Sequence, residues 1–346
     1  MNPLDLKLPF ISKAVEGIGG RIKKYPEDFI VDEIPAYQPE GEGEHLFVHM
    51  TKKGITTRTV QKNLARLFQI KDQDVNFAGL KDKQAITSQY FSIWLKNNED
   101  PNLVYQLEDI LPVKINKWEF HRKKIKQGHL KANAFNIKIT GVNGSPEEMM
   151  DKIQHIKDII HHKGVPNFFG HQRFGIHGDN AQKGYEILTG KRKIKNKGIS
   201  RFLLSACQSY LFNYYMVNRI HEGFYDKVLL GDIAKKYDTG GIFVIDHAAS
   251  EQSRFDQKAI GYTGPIFGRK MKPAEDLAAK QEEKTLQDNH LSTSTFQSTK
   301  LTGTRRMGII IPSIKAEQED NGVRLQFTLP KGAFATIVLR EFMKNF

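Results

Sequence analysis

Apolar side chains alternate with polar ones in two parts of the chain that lie far apart in the sequence. Three such runs occur early, at 46–50, 91–95 and 135–139. A period of two is typical of strands that bury one face. The pattern returns at 323–329 and is followed by a helical stripe at 334–342. This return predicts one sheet-containing domain that is interrupted by an inserted domain.

Helical patterns lie between these strands. A Thr56-Thr57 start signal precedes apolar residues at helical spacing over 60–67. Ser145-Pro146-Glu147-Glu148 combines a capping box with a proline at the first helical position, and Lys163-Gly164 ends the apolar stripe that follows. Residues 202–220 are apolar on most faces, which indicates a buried helix.

The predicted domain boundaries lie where the composition and the apolar pattern of the sequence change. We predict a discontinuous domain at about 1–163 and 311–346, with an inserted domain at about 164–310. Within the insert, residues 269–304 are polar and include a serine/threonine tract. We expect this segment to be an exposed or mobile region of helix and loop.

The charge of the chain is the first indication of function. Lysine and arginine number 52 against 39 acidic residues, which leaves a net charge of +13 and a pI of about 9.5. Such a field attracts polyanions, of which nucleic acid is the usual one. Many basic proteins have no specific polyanion, so the charge alone leaves nucleic-acid binding open.

Composition also limits which cellular compartment and which kinds of metal or disulfide site we expect. A single cysteine, Cys207, excludes an internal disulfide framework and a zinc site with several thiolates. No apolar run approaches the roughly 18 residues that span a bilayer, and the N-terminus lacks the layout of a secretory signal. We expect a cytoplasmic protein with no membrane association. No feature requires a dimer, so we expect a monomer.

One loop segment, NFAGLKDKQAIT, carries a candidate catalytic acid. A strand ends at Phe77, a glycine turn follows, and a new strand begins near Ala85, which lifts Asp82 to the tip of a rigid loop. The flanking cations Lys81 and Lys83 would keep that carboxylate ionised. From the residues alone the segment favours a polar hairpin turn without function, because glycine, lysine and aspartate are common in turns.

The sequence contains no convincing motif for binding a cofactor or a metal ion. Gly17-Ile18-Gly19-Gly20 precedes no convincing helix, so it is not a dinucleotide loop, and the chain contains no phosphate-binding GxxxxGK[ST] motif. His171, His177 and Asp179 lie close together in sequence, but their glycine-rich context offers no helical face to align them. We therefore expect no metal, no nucleotide and no other cofactor.

The loop segment and six others resemble a known family. GLKDKQAIT resembles the GxKDKxAxT signature of the TruD family of pseudouridine synthases. The further segments occur in the family's order and are PEDFIVDEIP (26–35), GEGEHL (41–46), KANAF (131–135), VPNFFGHQRFG (165–175), LLSACQSYLFN (203–213) and LPKGAFATIVLRE (329–341). The resemblance covers nearly the whole chain and thins at 225–300.

The resemblance implies a fold and a set of site residues. It implies an α+β fold, in which a mixed, largely antiparallel sheet with packed helices forms the catalytic domain and an inserted α/β domain interrupts it. It identifies Asp82 as the catalytic aspartate. It maps substrate-contacting positions onto a further set of residues, which are Phe29, Asn133, Phe334, Phe135 (the aromatic ring against the target base) and Lys23 (the candidate charge partner of Asp82).

The implied reaction is the conversion of a uridine to pseudouridine in tRNA, with uridine 13 of the D-arm as the family's substrate. The C1′–N1 bond breaks, the uracil turns, and C5 bonds to C1′. One carboxylate suffices, acting as a nucleophile on the sugar or as a base on a ribose proton, whereas a glycosidase needs two. A dry pocket of Phe29, Phe135 and Phe334 would stack on the base and exclude water.

A base inside folded RNA must be extruded to reach such a pocket, and basic segments would supply binding energy. The candidates for RNA contact are Arg122, Lys123 and Lys124, then Lys191, Arg192 and Lys193 within KRKIKNK (191–197), and Arg305-Arg306. We expect the RNA to lie between the two domains. Loop shape, and not a major-groove code, would set the specificity.

Two alternatives remain open. The chain is also compatible with a basic RNA-binding module or RNA chaperone without catalysis, in which Asp82 is a turn residue. A metal-dependent nuclease is the second alternative, and the missing acidic cluster disfavours it.

Overall fold

The computed structural model describes residues 6–95, 100–297 and 299–345. The chain forms two compact units. The sheet unit contains Glu16–Lys157, Pro312–Ala335 and Phe342–Phe346, and the insert unit contains Met1–Val15, Asp158–Ile311 and Thr336–Glu341. Residues before Glu16 and most of the last helix thus group with the insert unit, although their sequence patterns were placed in the other domain. The predicted boundaries at 164 and 310 stay a prediction.

The strands of the described chain, in order, are β1 Gly19–Arg21, β2 Phe29–Pro35, β3 His45–Lys53, β4 Val75–Phe77, β5 Ile86–Trp94, β6 Val113–His121, β7 Leu130–Val142, β8 Val165–Pro166, β9 Ile233–Lys236, β10 Ile242–Val244, β11 Ile260–Ile266, β12 Thr304–Met307, β13 Ile309–Ile310, β14 Lys315–Glu319 and β15 Gly322–Pro330. The α-helices are α1 Thr57–Leu67, α2 Leu107–Ile110, α3 Pro146–Lys163, α4 Asn180–Leu188, α5 Lys197–His221, α6 Ala248–Asp256, α7 Asp276–Asp288, α8 Thr293–Gln297 and α9 Ala335–Met343.

Nine of the described strands form one sheet in the sheet unit, with the order β14-β15-β7-β2-β5-β3-β6. Strand β1 also pairs with β7, and β4 pairs with β5. Strands β2 and β5 run parallel, and the other pairs among these strands are antiparallel. The predicted mixed, largely antiparallel sheet is confirmed, and so is the α+β class.

The alternating runs became the strands they predicted because their apolar side chains share one buried face of the sheet. Leu46, Val48 and Met50 of β3 have no exposed surface, and the neighbouring strand contributes Phe91 and Ile93 to the same core. Burying aliphatic and aromatic side chains in this way stabilises a domain by about 1.5–3 kcal/mol each. The buried face also contains polar residues near the candidate site, where they act as supports.

Two helices of the sheet unit begin where the sequence predicted. The Thr56 hydroxyl accepts a hydrogen bond from the Thr59 amide at 3.1 Å, which caps α1. At α3 the Ser145 hydroxyl accepts from the Glu148 amide at 3.2 Å, and the Glu148 carboxylate accepts from the Ser145 amide at 3.0 Å. This reciprocal pair is the predicted capping box.

The insert unit is built on a long buried helix and a small sheet. Helix α5 buries Ala206, Cys207 and Leu211 completely, which confirms the predicted buried helix. A four-stranded sheet has the order β10-β9-β11-β12, and β8 pairs with β13. All of these pairs are antiparallel, so the helices of this unit do not alternate with parallel strands as the α/β class would imply.

Two expectations for the insert unit need correction. Helix α5 begins at Lys197, several residues before the apolar run, because the Asn196 side chain accepts from the Gly198 and Ile199 amides and caps it. The 269–304 segment is less exposed than its composition indicated. Leu286 and Phe296 of this segment are each 2% exposed and pack in the core. Ser298 lies outside the described residues.

No helix in the described part of the chain is both long enough and apolar enough to cross a membrane.

Candidate active site

Asp82 lies in the loop between β4 and β5, which are antiparallel neighbours. The two strands hold the ends of the loop, as the sequence predicted. The side chain of Asp82 is 41% exposed, so its carboxylate is accessible to solvent and to a ligand.

Lys23 is the charge partner of Asp82. Its Nζ lies 2.6 Å from Asp82 Oδ2, and its side chain is only 17% exposed. The same ammonium lies 4.2 Å from the centroid of the Phe29 ring. Lys23 has a left-handed backbone with φ of 59°, a conformation that costs a residue with a Cβ roughly 1–2 kcal/mol. Such backbone conformations persist where the surrounding structure requires them, and they concentrate at functional sites.

Buried polar side chains form hydrogen bonds with the backbone of the loop that carries Asp82. The Thr57 hydroxyl accepts from the Lys81 amide at 3.0 Å and donates to Gln89 Oε1 at 3.0 Å. Gln89 in turn donates from Nε2 to the Gly79 carbonyl at 3.1 Å. Because Thr57 and Gln89 are both buried, these hydrogen bonds fix the loop backbone to α1 and β5.

A second buried lysine, Lys52 of β3, supports the loop. Its side chain donates to the Asp82 carbonyl at 2.7 Å and to the Ile55 carbonyl at 2.8 Å, and the residue is 1% exposed. Burial lowers the pKa of Lys52 to about 8, with the Asp82 carboxylate acting in the opposite direction. No sequence motif singles out Lys52, although it continues the buried alternation 46, 48, 50 of its strand.

Lys81 does not lie beside the Asp82 carboxylate, which corrects the sequence interpretation. Its Nζ lies 2.5 Å from Glu33 Oε2 on β2, and the two side chains are 7% and 1% exposed. The pair is another anchor of the loop. Lys83 is exposed. The positive charge in direct contact with the Asp82 carboxylate therefore comes from Lys23.

Three aromatic rings form a series of contacts that begins at the Lys23 ammonium. Phe29 is 3% exposed and meets Phe135 edge-on, with ring centroids 6.4 Å apart. Phe135 of β7 is half-buried and stacks on Phe327 of β15 at 5.5 Å. Phe327 was not singled out from the sequence. It faces Phe135 in the β15–β7 register, which no local pattern reveals. Phe334 is half-buried in the turn that precedes α9.

Asn133 lies two residues before Phe135 on β7, so the two side chains share one face of the sheet. Its register partner on β2 is Glu33, the acid that pairs with Lys81. The Asn133 Oδ1 atom is buried and has no hydrogen-bond partner among the described residues. An unsatisfied buried acceptor costs about 1–3 kcal/mol, so this atom is suited to a donor supplied by a ligand.

The basic residues singled out from the sequence differ in their surroundings. Lys123, Lys124, Lys191 and Lys193 are exposed. Arg122 pairs with Glu42 and, more distantly, with Glu40, and Arg192 pairs with Glu186 at 2.6 Å.

Arg305 and Arg306 have little freedom to meet a phosphate on the surface. Arg305 is 3% exposed and pairs with Glu282 at 2.6 Å, so we remove it from the candidate RNA contacts. The Arg306 guanidinium lies 4.0 Å from the Phe169 ring centroid, and it donates to the Asn167 carbonyl and side chain. Burial, and then the positive charge of Arg173, lower the pKa of Arg306 to about 9.

The described residues of the site thus present a half-exposed carboxylate in contact with an ammonium, which lies over the buried Phe29 ring. This arrangement provides a nucleophile or base and a positive charge to balance it. The described residues contain no group of three or more histidine, cysteine or acidic side chains placed to hold a metal ion.

Comparison with known proteins gives a consistent result. The sequence profile of the family described as tRNA pseudouridine synthase D (TruD) matches residues 7–194 and 192–342. A tRNA pseudouridine synthase D of Thermus thermophilus is 38% identical over 98% of this chain and 92% of its own length. That of Anaeromyxobacter dehalogenans strain 2CP-C is 34% identical over 97% and 96% of the two chains.

A solved structure shares the fold. The crystal structure of the putative tRNA pseudouridine synthase D from Methanosarcina mazei superposes with a TM-score of 0.76. It covers 97% of this chain and 96% of that one at 24% identity.

Proposed function

This chain belongs to the tRNA pseudouridine synthase D (TruD) family, and on that premise we propose that it isomerises a uridine of tRNA with Asp82 as the catalytic carboxylate. The observation that carries the proposal is the Asp82 side chain. It is accessible, it contacts Lys23 at 2.6 Å, and its loop is tied to the buried face of the sheet. A turn residue without function needs none of these supports.

The reaction rearranges one nucleotide and changes no redox state. As a nucleophile, an Asp82 oxygen bonds to C1′ while the C1′–N1 bond breaks and the uracil leaves as an anion. The uracil turns, C5 bonds to C1′ and the Asp82 oxygen leaves. The C5 proton is lost and N1 gains one. As a base, Asp82 removes the C2′ proton of the ribose while the C1′–N1 bond breaks, which leaves a C1′=C2′ double bond and a uracil anion. After the uracil turns, C2′ regains the proton from Asp82, C5 bonds to C1′, and the C5 proton is replaced by one on N1. In both routes the Lys23 ammonium balances the charge of the carboxylate at short range.

We propose that the aromatic rings next to Lys23 receive the extruded base. Phe135 is half-buried and backed by Phe327, so it offers a fixed surface for stacking. The Phe29 ring contacts both the Phe135 ring and the Lys23 ammonium. Asn133 Oδ1 would accept from a uracil N–H, and Phe334 would complete the enclosure. Excluding water keeps the free uracil from being lost during its turn.

The substrate detail is also a proposal. The net charge of +13 and the exposed lysines of 123–124 and 191–193 support binding to tRNA phosphates. Uridine 13 of the D-arm is the position we propose, on the strength of the family. We further propose that the enzyme is a cytoplasmic monomer that needs no cofactor.

Mapping pseudouridine chemically in unmodified tRNA tests the function. Wild-type protein should produce one pseudouridine, and Asp82→Asn should reduce the rate by about 10⁴-fold or more, the scale on which removing a catalytic carboxylate acts. Binding of tRNA should persist, because one loop carboxylate adds little affinity. Asp72→Asn is the matched control, since that acid is exposed in a turn on the other side of β4.

The alternatives predict different results. If wild-type protein binds tRNA and forms no pseudouridine, the chain is a binding module and the proposal is wrong. Cleavage of the RNA that a chelator abolishes would instead indicate a nuclease.

A further inference from the structure

Lys52 is an unusual residue for its position. It lies on the buried face of β3, in the alternation of Leu46, Val48 and Met50, yet it carries an ammonium with 1% of its surface exposed. Burying a charge costs free energy, and an aliphatic side chain would fill the same volume without that cost. Its hydrogen-bond partners are therefore informative.

Both partners of Lys52 are backbone carbonyls, and one belongs to the catalytic residue. Nζ donates to the Asp82 carbonyl at 2.7 Å and to the Ile55 carbonyl at 2.8 Å. The Ile55 carbonyl lies just after β3, on the same segment as Lys52, whereas Asp82 lies in a separate loop. The ammonium thus ties the Asp82 peptide to the frame of the sheet.

The geometry points to Lys52 as a positioning residue for catalysis, and this inference rests on the proposed role of Asp82. By holding the Asp82 carbonyl, Lys52 sets the orientation of the Asp82 backbone. The carboxylate is then aimed at Lys23 and the target ribose.

The charged groups that act on Lys52 come from the same loop. They are the Asp82 carboxylate and the Lys81 ammonium, and Lys81 is itself neutralised by Glu33 of β2. Lys23 contacts the Asp82 carboxylate from the other side. A protonated Lys52 is favoured by Asp82 and opposed by burial and by Lys81.

The strength of the hydrogen bond from Lys52 to the Asp82 carbonyl should depend on pH. Burial lowers the pKa of Lys52 to about 8, so the ammonium is present at pH 7 and is lost as the pH rises past that value. A charge-assisted hydrogen bond is about twice as strong as a neutral one. Deprotonation therefore loosens the Asp82 peptide, and the rate of isomerisation should fall on the alkaline side.

The first test compares Lys52→Met with Lys53→Met in single-turnover reactions on tRNA. Lys53 is the neighbouring lysine on the same strand, but its side chain is 53% exposed and pairs with Glu27 at the surface. Lys52→Met should lower the rate about 100-fold, which is the effect of a misplacement of about 1 Å. The affinity for tRNA should stay at the wild-type value, and Lys53→Met should react at the wild-type rate. A wild-type rate for Lys52→Met would overturn the inference.

The second test is the pH profile from about pH 7 to about pH 9, with folding followed by circular dichroism. The wild-type rate should fall with an apparent pKa near 8 while the protein stays folded, and Lys52→Met should lack this fall. Any effect of the uridine N3 proton is shared by all variants and so cancels. A flat wild-type profile would overturn the inference even if Lys52→Met fails to fold.

Failure of this inference is distinct from failure of the proposed function. If wild-type protein forms no pseudouridine, the function itself is wrong. If it forms pseudouridine and Lys52→Met does so equally fast, only the role of Lys52 is wrong.

Discussion

At the scale of single residues, the proposed chemistry depends on contacts to one carboxylate. Lys23 reaches Asp82 at 2.6 Å and also lies over the Phe29 ring at 4.2 Å. One ammonium thereby links the acid to the proposed base pocket. Its left-handed backbone, with φ of 59°, indicates that the surrounding chain constrains its direction.

Removing the Lys23 ammonium should slow the reaction. We expect Lys23→Met to lower kcat by about 10- to 100-fold, because a hydrogen bond to a charged group contributes about 1.5–3 kcal/mol. Lys24→Met is the matched control, since Lys24 is exposed and lies over the Tyr25 ring. Steady-state kinetics on tRNA would measure both, and an equal kcat for the two variants would contradict a role for Lys23.

At the scale of elements, the 79–82 loop is fixed to four separate parts of the sheet unit. Thr57 attaches it to α1 and Gln89 attaches it to β5. Lys52 attaches it to β3 and Glu33 attaches it to β2. Each anchor is a buried polar group, whose loss leaves an unsatisfied partner in the interior. The loop that carries the proposed catalytic acid is therefore held in place by side chains of the protein itself.

The Lys81–Glu33 pair gives a prediction about stability. Because both side chains are buried, Lys81→Met or Glu33→Leu alone should each lower the free energy of unfolding by about 3–5 kcal/mol, leaving an uncompensated charge. The double variant removes both charges and should lose much less than the sum of the two. Urea unfolding would measure all three variants. Additive losses would show that the two groups are not coupled.

At the scale of the whole molecule, the excess of thirteen positive charges is the property most relevant to RNA. Not all of the basic side chains are exposed and able to contact a phosphate. Lys191 and Lys193 are exposed, whereas Arg305 is buried against Glu282. A count of basic residues therefore overstates the number of phosphate contacts.

Neutralising the exposed lysines should change the salt dependence of tRNA binding. Changing Lys191, Lys193 and Lys195 to glutamine should weaken binding and reduce the slope of log K against log salt by about 0.7–0.9 per lost contact. A control with three exposed lysines elsewhere in the insert unit, Lys227, Lys236 and Lys284, should bind with the wild-type slope. Equal slopes for the two triple variants would remove the 191–197 segment from the RNA interface.

The sequence by itself determined strands β3, β5, β7 and β15, helices α1, α3, α5 and α9, and the place of Asp82 in a loop between two strands. These features are local, because alternation records which face of a strand is buried and a capping box is complete within four residues. The alternation also placed Lys52 on the buried face of β3. The alternation contained no information about the Asp82 carbonyl, to which the Lys52 ammonium donates a hydrogen bond.

Only the tertiary structure decided which side chains meet across elements. Lys81 pairs with Glu33 and not with Asp82, and Phe327 stacks on Phe135. Arg305 is buried in the insert unit, where it pairs with Glu282. Each of these contacts joins residues that are distant in sequence. They depend on strand order and register, and these follow from how the whole chain buries its apolar surface.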